Sequence, residues 1–222
     1  MARILAVLAV GALGVGAAQG AVVGVGDSSA PWLAYMNVFE LPVNGGGFVF
    51  GSPWGRNDLN TTFDDSANKL TLSPNTIGDP SDFWYIGGGG PGAPGNKIME
   101  ANLYMETTGV YVGETLTFEG FVQTNTFTSA HSAVIFIKDF APDYSSSVTT
   151  TIPVVPGPFS LSLLTIADPA RHVQWGFQVT GACVWFTDVA PFGNAMITTV
   201  PGPGALAVFG LVGLAGVRRR RA

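Results

Sequence analysis

The sequence predicts an all-β protein, a single antiparallel β-sandwich of jelly-roll type, and three observations carry that expectation. Apolar residues recur at every second position in several short segments. The plainest is Val173, Trp175, Phe177 and Val179 against Gln174, Gly176, Gln178 and Thr180. Gly/Pro/Asp/Ser clusters separate these runs at short intervals, and no stretch keeps a helical period. Charge is sparse, at 11% of 222 residues, whereas glycine alone supplies 30. Many short strands with frequent turns build a sandwich.

The chain opens with a positive residue, Arg3, and an uncharged apolar run from Ile4 to Val15. Small residues Gly16, Ala17, Ala18 and Gly20 then offer cleavage sites after Ala18 or after Gly20. Residues 1–20 therefore read as a secretory signal peptide, the alternative being an uncleaved anchor. Residues 21–199 form the sandwich domain. Met36 to Pro42 is a short strand that ends at proline, Gly45 to Gly47 make a turn, and Phe48 to Phe50 pair back. Ser52 to Ile86 is polar and turn-rich, with β pieces near Leu59 to Phe63 and Lys69 to Ser73. Phe83-Trp84-Tyr85 is either a strand or an exposed patch. Gly87 to Gly95 reads as a flexible loop. It is no phosphate-binding loop, because no Gly-Lys-Ser/Thr opens a helix after it.

From Lys97 the alternation sharpens. It runs through Ile98 to Met105, then Leu116, Phe118 and Val122, then Ala133 to Phe140. Phe159, Leu161 and Leu163 continue it, followed by the Val173 to Val179 run, Cys183 to Val189 and Ala195 to Thr199. Phe118, Val134, Phe136, Phe159, Leu161, Val173, Phe177 and Val184 are expected between the two sheets. Cys183, the one cysteine, sits in an apolar stretch and reads as a small buried hydrophobe. No intrachain disulfide can form.

The last segment, 200–222, has three parts in fixed order. A hinge of Val200, Pro201, Gly202, Pro203 and Gly204 can continue neither strand nor helix. An apolar run from Ala205 to Val217 follows, then Arg218, Arg219, Arg220 and Arg221. The run is shorter than the roughly 20 residues of a comfortable span, and its arginines favour the cytoplasmic side. At these residues the chain resembles the PEP-CTERM sorting tails of Gram-negative-type bacteria, which membrane proteases called exosortases recognise and cleave. Gly202 departs from the glutamate of the family pattern. The resemblance implies a hydrophobic sorting helix in transient inner-membrane contact, an exosortase as partner, and export to the cell surface or beyond. The competing reading is an ordinary membrane anchor.

The charge balance narrows the partners. Of ten Lys/Arg, five lie in the two end segments, while all fifteen Asp/Glu lie between them. Five basic against fifteen acidic residues takes the net charge from −5 to −10 in the domain. Nucleic acid is excluded as a partner by that balance. Enzyme signatures are thin: His131 and His172 are far apart in sequence, and neither zinc spacing nor a G-x-S-x-G elbow is present. Glu100, Glu106 and Glu119 are the carboxylates placed on expected strands.

A sugar-binding face needs planar aromatics beside polar groups. Trp54, Trp84, Tyr85, Tyr104, Trp175 and Trp185 are the candidates. Trp175 alternates with apolar residues and reads as core. Trp84 and Tyr85, before the glycine loop, are the expected ligand-binding pair, with Gln174 and Gln178 on the face of their strand opposite Trp175. The order of segments also resembles the jelly-roll carbohydrate-binding modules. These are N-x-F-E at Asn37 to Glu40, the strand Gly113 to Val122, P-F-S-L-S-L at Pro158 to Leu163 and V-W-F-T-D-V at Val184 to Val189. That resemblance implies a structural calcium held by Glu40 and Asp188, the alternative being an aspartate satisfied by backbone amides. No other cofactor is implied.

The function expected is that of an exported surface or matrix protein, structural or adhesive and associated with extracellular polysaccharide. The alternatives are a carbohydrate-active lyase or hydrolase on the same fold and a matrix protein with no small ligand. We expect the exported protein to lack every residue beyond the Pro201 to Gly204 hinge. Its intact mass checks this, and a species retaining Arg218 to Arg221 means an ordinary anchor.

Overall fold

The cleanest alternation in the chain becomes the centre of one sheet. The computed structural model describes residues 20–200. Residues 1–19 of the signal segment, Pro201, Gly202, Pro203, Gly204 and Arg218 to Arg221 therefore lie outside the described residues. Val200, the one hinge residue described, donates its N–H to the Val25 carbonyl at 2.7 Å.

The strands are β1 (Ala21–Val23), β2 (Leu33–Glu40), β3 (Phe48–Trp54), β4 (Thr61–Asp64), β5 (Lys69–Leu72) and β6 (Lys97–Thr108), followed by β7 (Thr115–Asn125), β8 (His131–Phe140), β9 (Ser147–Pro153), β10 (Gly157–Leu164), β11 (His172–Ala182) and β12 (Ala195–Thr198). They form two sheets. One is antiparallel throughout, in the order β3-β2-β6-β11-β8-β9. In the other, β10 covers one edge of β7, while β1 and β12 share the opposite edge, and β5 and β4 continue outward from β12. The β1–β7 pairing is parallel. From β6 to β12 the chain crosses repeatedly between sheets, which is the jelly-roll arrangement of an antiparallel β-sandwich.

Period two decides what fills the space between them. Met99, Ala101, Leu103 and Met105 of β6 join Val173, Trp175, Phe177 and Val179 of β11 in the core. They meet Leu116, Phe118 and Val122 of β7 and Phe159 and Leu161 of β10. Phe118 sits edge-on to Phe159 at 5.2 Å between ring centroids and tilted against Phe177 at 5.6 Å. Each such side chain stabilises the fold by about 1.5–3 kcal/mol when fully buried. Between β2 and β3 the turn runs through Gly45 (φ 93°) and Gly46 (φ 66°), which lie in the left-handed region.

Several expectations need correcting. Phe118, Phe159, Leu161, Val173, Phe177 and Val184 are buried, and so is Phe136, but Phe136 and the half-buried Val134 lie on the outer face of β8 rather than between the sheets. On β8 the inward positions are Ala133, Ile135 and Ile137. Both parities of that strand are apolar, so alternation alone could not choose between them. Cys183 to Val189 is not a strand: it makes one bridge, Thr76 to Val184, and then a turn in which Asp188 N–H donates to the Trp185 carbonyl at 2.8 Å. Strands β1 and β9 were not foreseen; β9 is an exposed edge rich in threonine. The Gly87 to Gly95 loop is tied down rather than loose, with Ile86 N–H on Pro94 O (2.9 Å) and Gly89 N–H on Pro80 O (2.7 Å).

Beside β11, Asp139 is fully buried and binds Arg171 Nε through Oδ1 at 2.8 Å. Replacing Arg171 by leucine strands that carboxylate. We expect a loss of about 3–5 kcal/mol in urea denaturation, whereas breaking the exposed 3.7 Å contact of Lys69 with Asp64 should shift the midpoint little.

Candidate functional site

The outer face of the β3-β2-β6-β11-β8-β9 sheet carries the second set of alternating residues. Register places Tyr35, Asn102 and Gln178 side by side across β2, β6 and β11. One row further along stand Tyr104, Gly176 and Phe136, and the next row holds Glu106, Gln174 and Lys138. A groove of about 560 Å³ lies over these rows, walled by Tyr35, Pro53, Phe140 and Tyr144. In the middle row Gly176 leaves no room for a side chain. A Cβ there would press into the Leu103 carbonyl and come within 2.7 Å of Tyr104 Cα.

The polar groups of the groove are held by one another. Gln174 Nε2 donates to Glu106 Oε2 at 2.6 Å, and the Tyr144 hydroxyl donates to Glu106 Oε1 at 3.1 Å. Lys138 Nζ donates to Asn102 Oδ1 at 3.0 Å and lies over the Phe136 ring, 4.2 Å from its centroid. Burial lowers the Lys138 pKa, and the charge of Glu100 opposes that shift. Asn37 donates to Glu100 Oε1 at 2.8 Å. Burial, and then the Glu106 charge, push the phenols of Tyr104 and Tyr144 up to about 12.

Tyr144 is the unusual member. It sits in the β8–β9 loop with φ 58°, a left-handed conformation that costs a residue with a Cβ about 1–3 kcal/mol. Its ring stacks on His172 with centroids 4.3 Å apart and planes 5° from parallel. His172 is itself fixed: Nε2 lies 3.2 Å from the Pro142 carbonyl and so carries the proton, leaving Nδ1 to accept from Thr108 Oγ1 at 2.7 Å.

The residues singled out from sequence fall in different places. Gln174 lines the groove, and Gln178 is on the same outer face with Nε2 3.3 Å from Thr180 Oγ1. Tyr104 lines it too. Tyr85 does not: it has no exposed surface, and its hydroxyl donates to the Ile77 carbonyl at 2.7 Å. Trp84 is half-buried, edge-on to Phe83 at 4.7 Å and to Phe50 at 6.2 Å. Both serve packing because the loop behind them needs an anchor in the core. Trp175 is core, and Trp185 packs on Tyr85 at 5.3 Å. Tyr35, Asn102 and Lys138 were missed, since only strand register brings them together, and so was Tyr144, which the β8–β9 loop carries to the groove.

The two residues of the expected calcium pair are bonded to different partners. Glu40 Oε2 is bound by Lys97 Nζ at 3.1 Å, which supplies the positive charge an ion would have brought. Asp188 Oδ2 accepts the Gly92 N–H at 2.5 Å, the backbone-amide alternative. Among the described residues no group of three or more His, Cys, Asp or Glu is placed to hold a metal ion.

A second, mostly apolar cavity of about 600 Å³ is lined by His131, Cys183 and Asp188. Cys183 donates its S–H to the Trp84 carbonyl at 2.8 Å, and burial pushes the thiol pKa up, away from nucleophilic use. Glu100 and Glu106 share one face of β6 but stand six positions apart, about 20 Å along a strand. Paired glycosidase carboxylates stand about 5–9.5 Å apart.

No protein-family model and no curated protein matches this chain. Among solved structures it is similar to a carbohydrate-binding module in complex with beta-1,4-galactotriose. Identity is 11% over 78% of this chain and 87% of that one, with a TM-score of 0.34. At that distance it assigns no ligand here.

His131 gives a pH test of the fold. Its Nε2 lies 3.1 Å from the Ala182 carbonyl, its Nδ1 is buried without a partner, and burial lowers its pKa below 6.5. The folded state therefore binds the proton less readily than the unfolded chain. The stability His131 supports is intact above about pH 6.5 and falls as pH drops toward the folded value. In His131→Leu the slope of stability against pH just below 6.5 should be shallower than in the wild type.

Proposed function

We propose that this is an exported, non-catalytic surface or matrix protein whose sandwich binds extracellular polysaccharide in the groove over β6 and β11. The observation that carries the reading is the composition of that groove. Tyrosine rings stand beside amide, ammonium and carboxylate groups on one rigid sheet face. Apolar faces of sugar rings stack on such aromatics, and hydroxyls bond to the polar groups.

A binding role fits the groove better than catalysis. Each oxygen of Glu106 already accepts a hydrogen bond, from Gln174 and from Tyr144. Among the described residues no second carboxylate lines the groove beside it. The address rests on the ends of the chain, where the signal-like start and the PEP-CTERM-like tail point to export and exosortase processing. Adhesion or matrix building follows from a polysaccharide-binding module delivered to that place.

Affinity electrophoresis and calorimetry of the purified protein against a panel of polysaccharides test the reading. Binding to at least one, with no sugar products released, is expected. Tyr35→Ala should weaken it by about tenfold, or about 1.4 kcal/mol. Failure to bind any polysaccharide refutes the proposal.

A further inference from the structure

We infer that the groove selects an uncharged glycan and lays one sugar ring on Tyr144; this rests on the reading of the groove as a polysaccharide site. Two independent features lead there, the charge of the groove and the way Tyr144 is held.

A chain of uronic acids needs cations at hand, and best a guanidinium that grips the carboxylate with two N–H groups. Among the described residues the groove has one lysine and no arginine. Lys138 already donates to Asn102 and rests on Phe136. The arginines of the described residues are committed elsewhere, Arg171 to Asp139 and Arg56 to the Ser28 carbonyl. Glu106 stands within the groove, and the domain around it carries fifteen acidic against five basic residues. A carboxylated sugar would meet repulsion there and no clamp. An uncharged sugar meets amide and hydroxyl partners.

Tyr144 is built as a platform. His172 covers one ring face at 4.3 Å, the hydroxyl is fixed on Glu106, and the backbone is left-handed. The residue is still 48% exposed and lines the groove, with the Phe140 ring tilted beside it at 5.5 Å. An aromatic surface ordered before the ligand arrives loses little freedom on binding.

The test uses a β-glucan, a galactan and a mannan as neutral probes, with alginate and polygalacturonate as acidic ones, at low and high salt. Binding to a neutral chain, with affinity indifferent to salt, is expected, and none to the polyuronates. Tyr144→Ala should lower neutral-chain affinity by about tenfold or more, while Tyr144→Phe and Tyr144→Trp keep most of it. Thermal melting of each variant verifies that the fold is intact. Polyuronate binding that weakens with salt overturns the inference and leaves the polysaccharide site standing. Unchanged affinity in Tyr144→Ala overturns the platform. Binding to neither class sinks the inference and the proposed function together.

Discussion

The groove depends on a buried ion pair behind it. Asp139 accepts Arg171 Nε on Oδ1 and the Ile166 N–H on Oδ2, both at 2.8 Å. A second guanidinium nitrogen of Arg171 donates to the Asp139 carbonyl at 2.6 Å. Desolvating two charges is costly, and only full hydrogen bonding offsets it. With both carboxylate oxygens engaged, the end of β8, the start of β11 and the connection after β10 are held in one arrangement. Strand alternation then turns the neighbours of the pair, Lys138, Phe140 and His172, to the opposite face. The wall of the groove is thus the reverse side of a core contact.

The outer face shows the same economy of partners. Asn102 and Gln174 are buried although they lie outside the hydrophobic core. A buried amide without partners would cost about 1–3 kcal/mol. Gln174 finds Glu106, and Asn102 finds Lys138 as well as the Glu100 carbonyl. Because these bonds exist before any ligand, the side chains are already ordered where a ligand would need them.

Much of the sandwich was legible because one face of each long strand must be buried. Val173, Trp175, Phe177 and Val179 declare β11 without help. β8 was only half legible, since Val134 and Phe136 are as apolar as Ile135 and Ile137. On the outward side Phe136 is covered in turn, lying buried beneath the Lys138 ammonium. β9 carries too little apolar residue to register as a strand, and its pairing with β8 supplies what its composition lacks. The groove itself was legible only in fragments. Gln174 and Tyr104 could be placed on outward positions, but Tyr35 and Lys138 join them through register, which local patterns do not encode. Tyr85 misled for a physical reason. A glycine-rich loop suggests a surface, yet such a loop must be fastened, and Tyr85 is the fastener.

The division of labour among aromatics follows from what their polar ends need. The tryptophans are buried or half-buried and packed against the core; the ring N–H of Trp32, for example, donates to the Asp27 carbonyl at 3.0 Å. The groove takes Tyr35, Tyr104 and Tyr144 instead. A tyrosine offers a stacking face and a hydroxyl that can both donate and accept. With the phenols of Tyr104 and Tyr144 raised to about 12, these hydroxyls keep their protons at neutral and mildly alkaline pH. Tyrosine therefore adds hydrogen-bonding capacity without adding charge, as the proposed recognition of neutral hydroxyl groups requires.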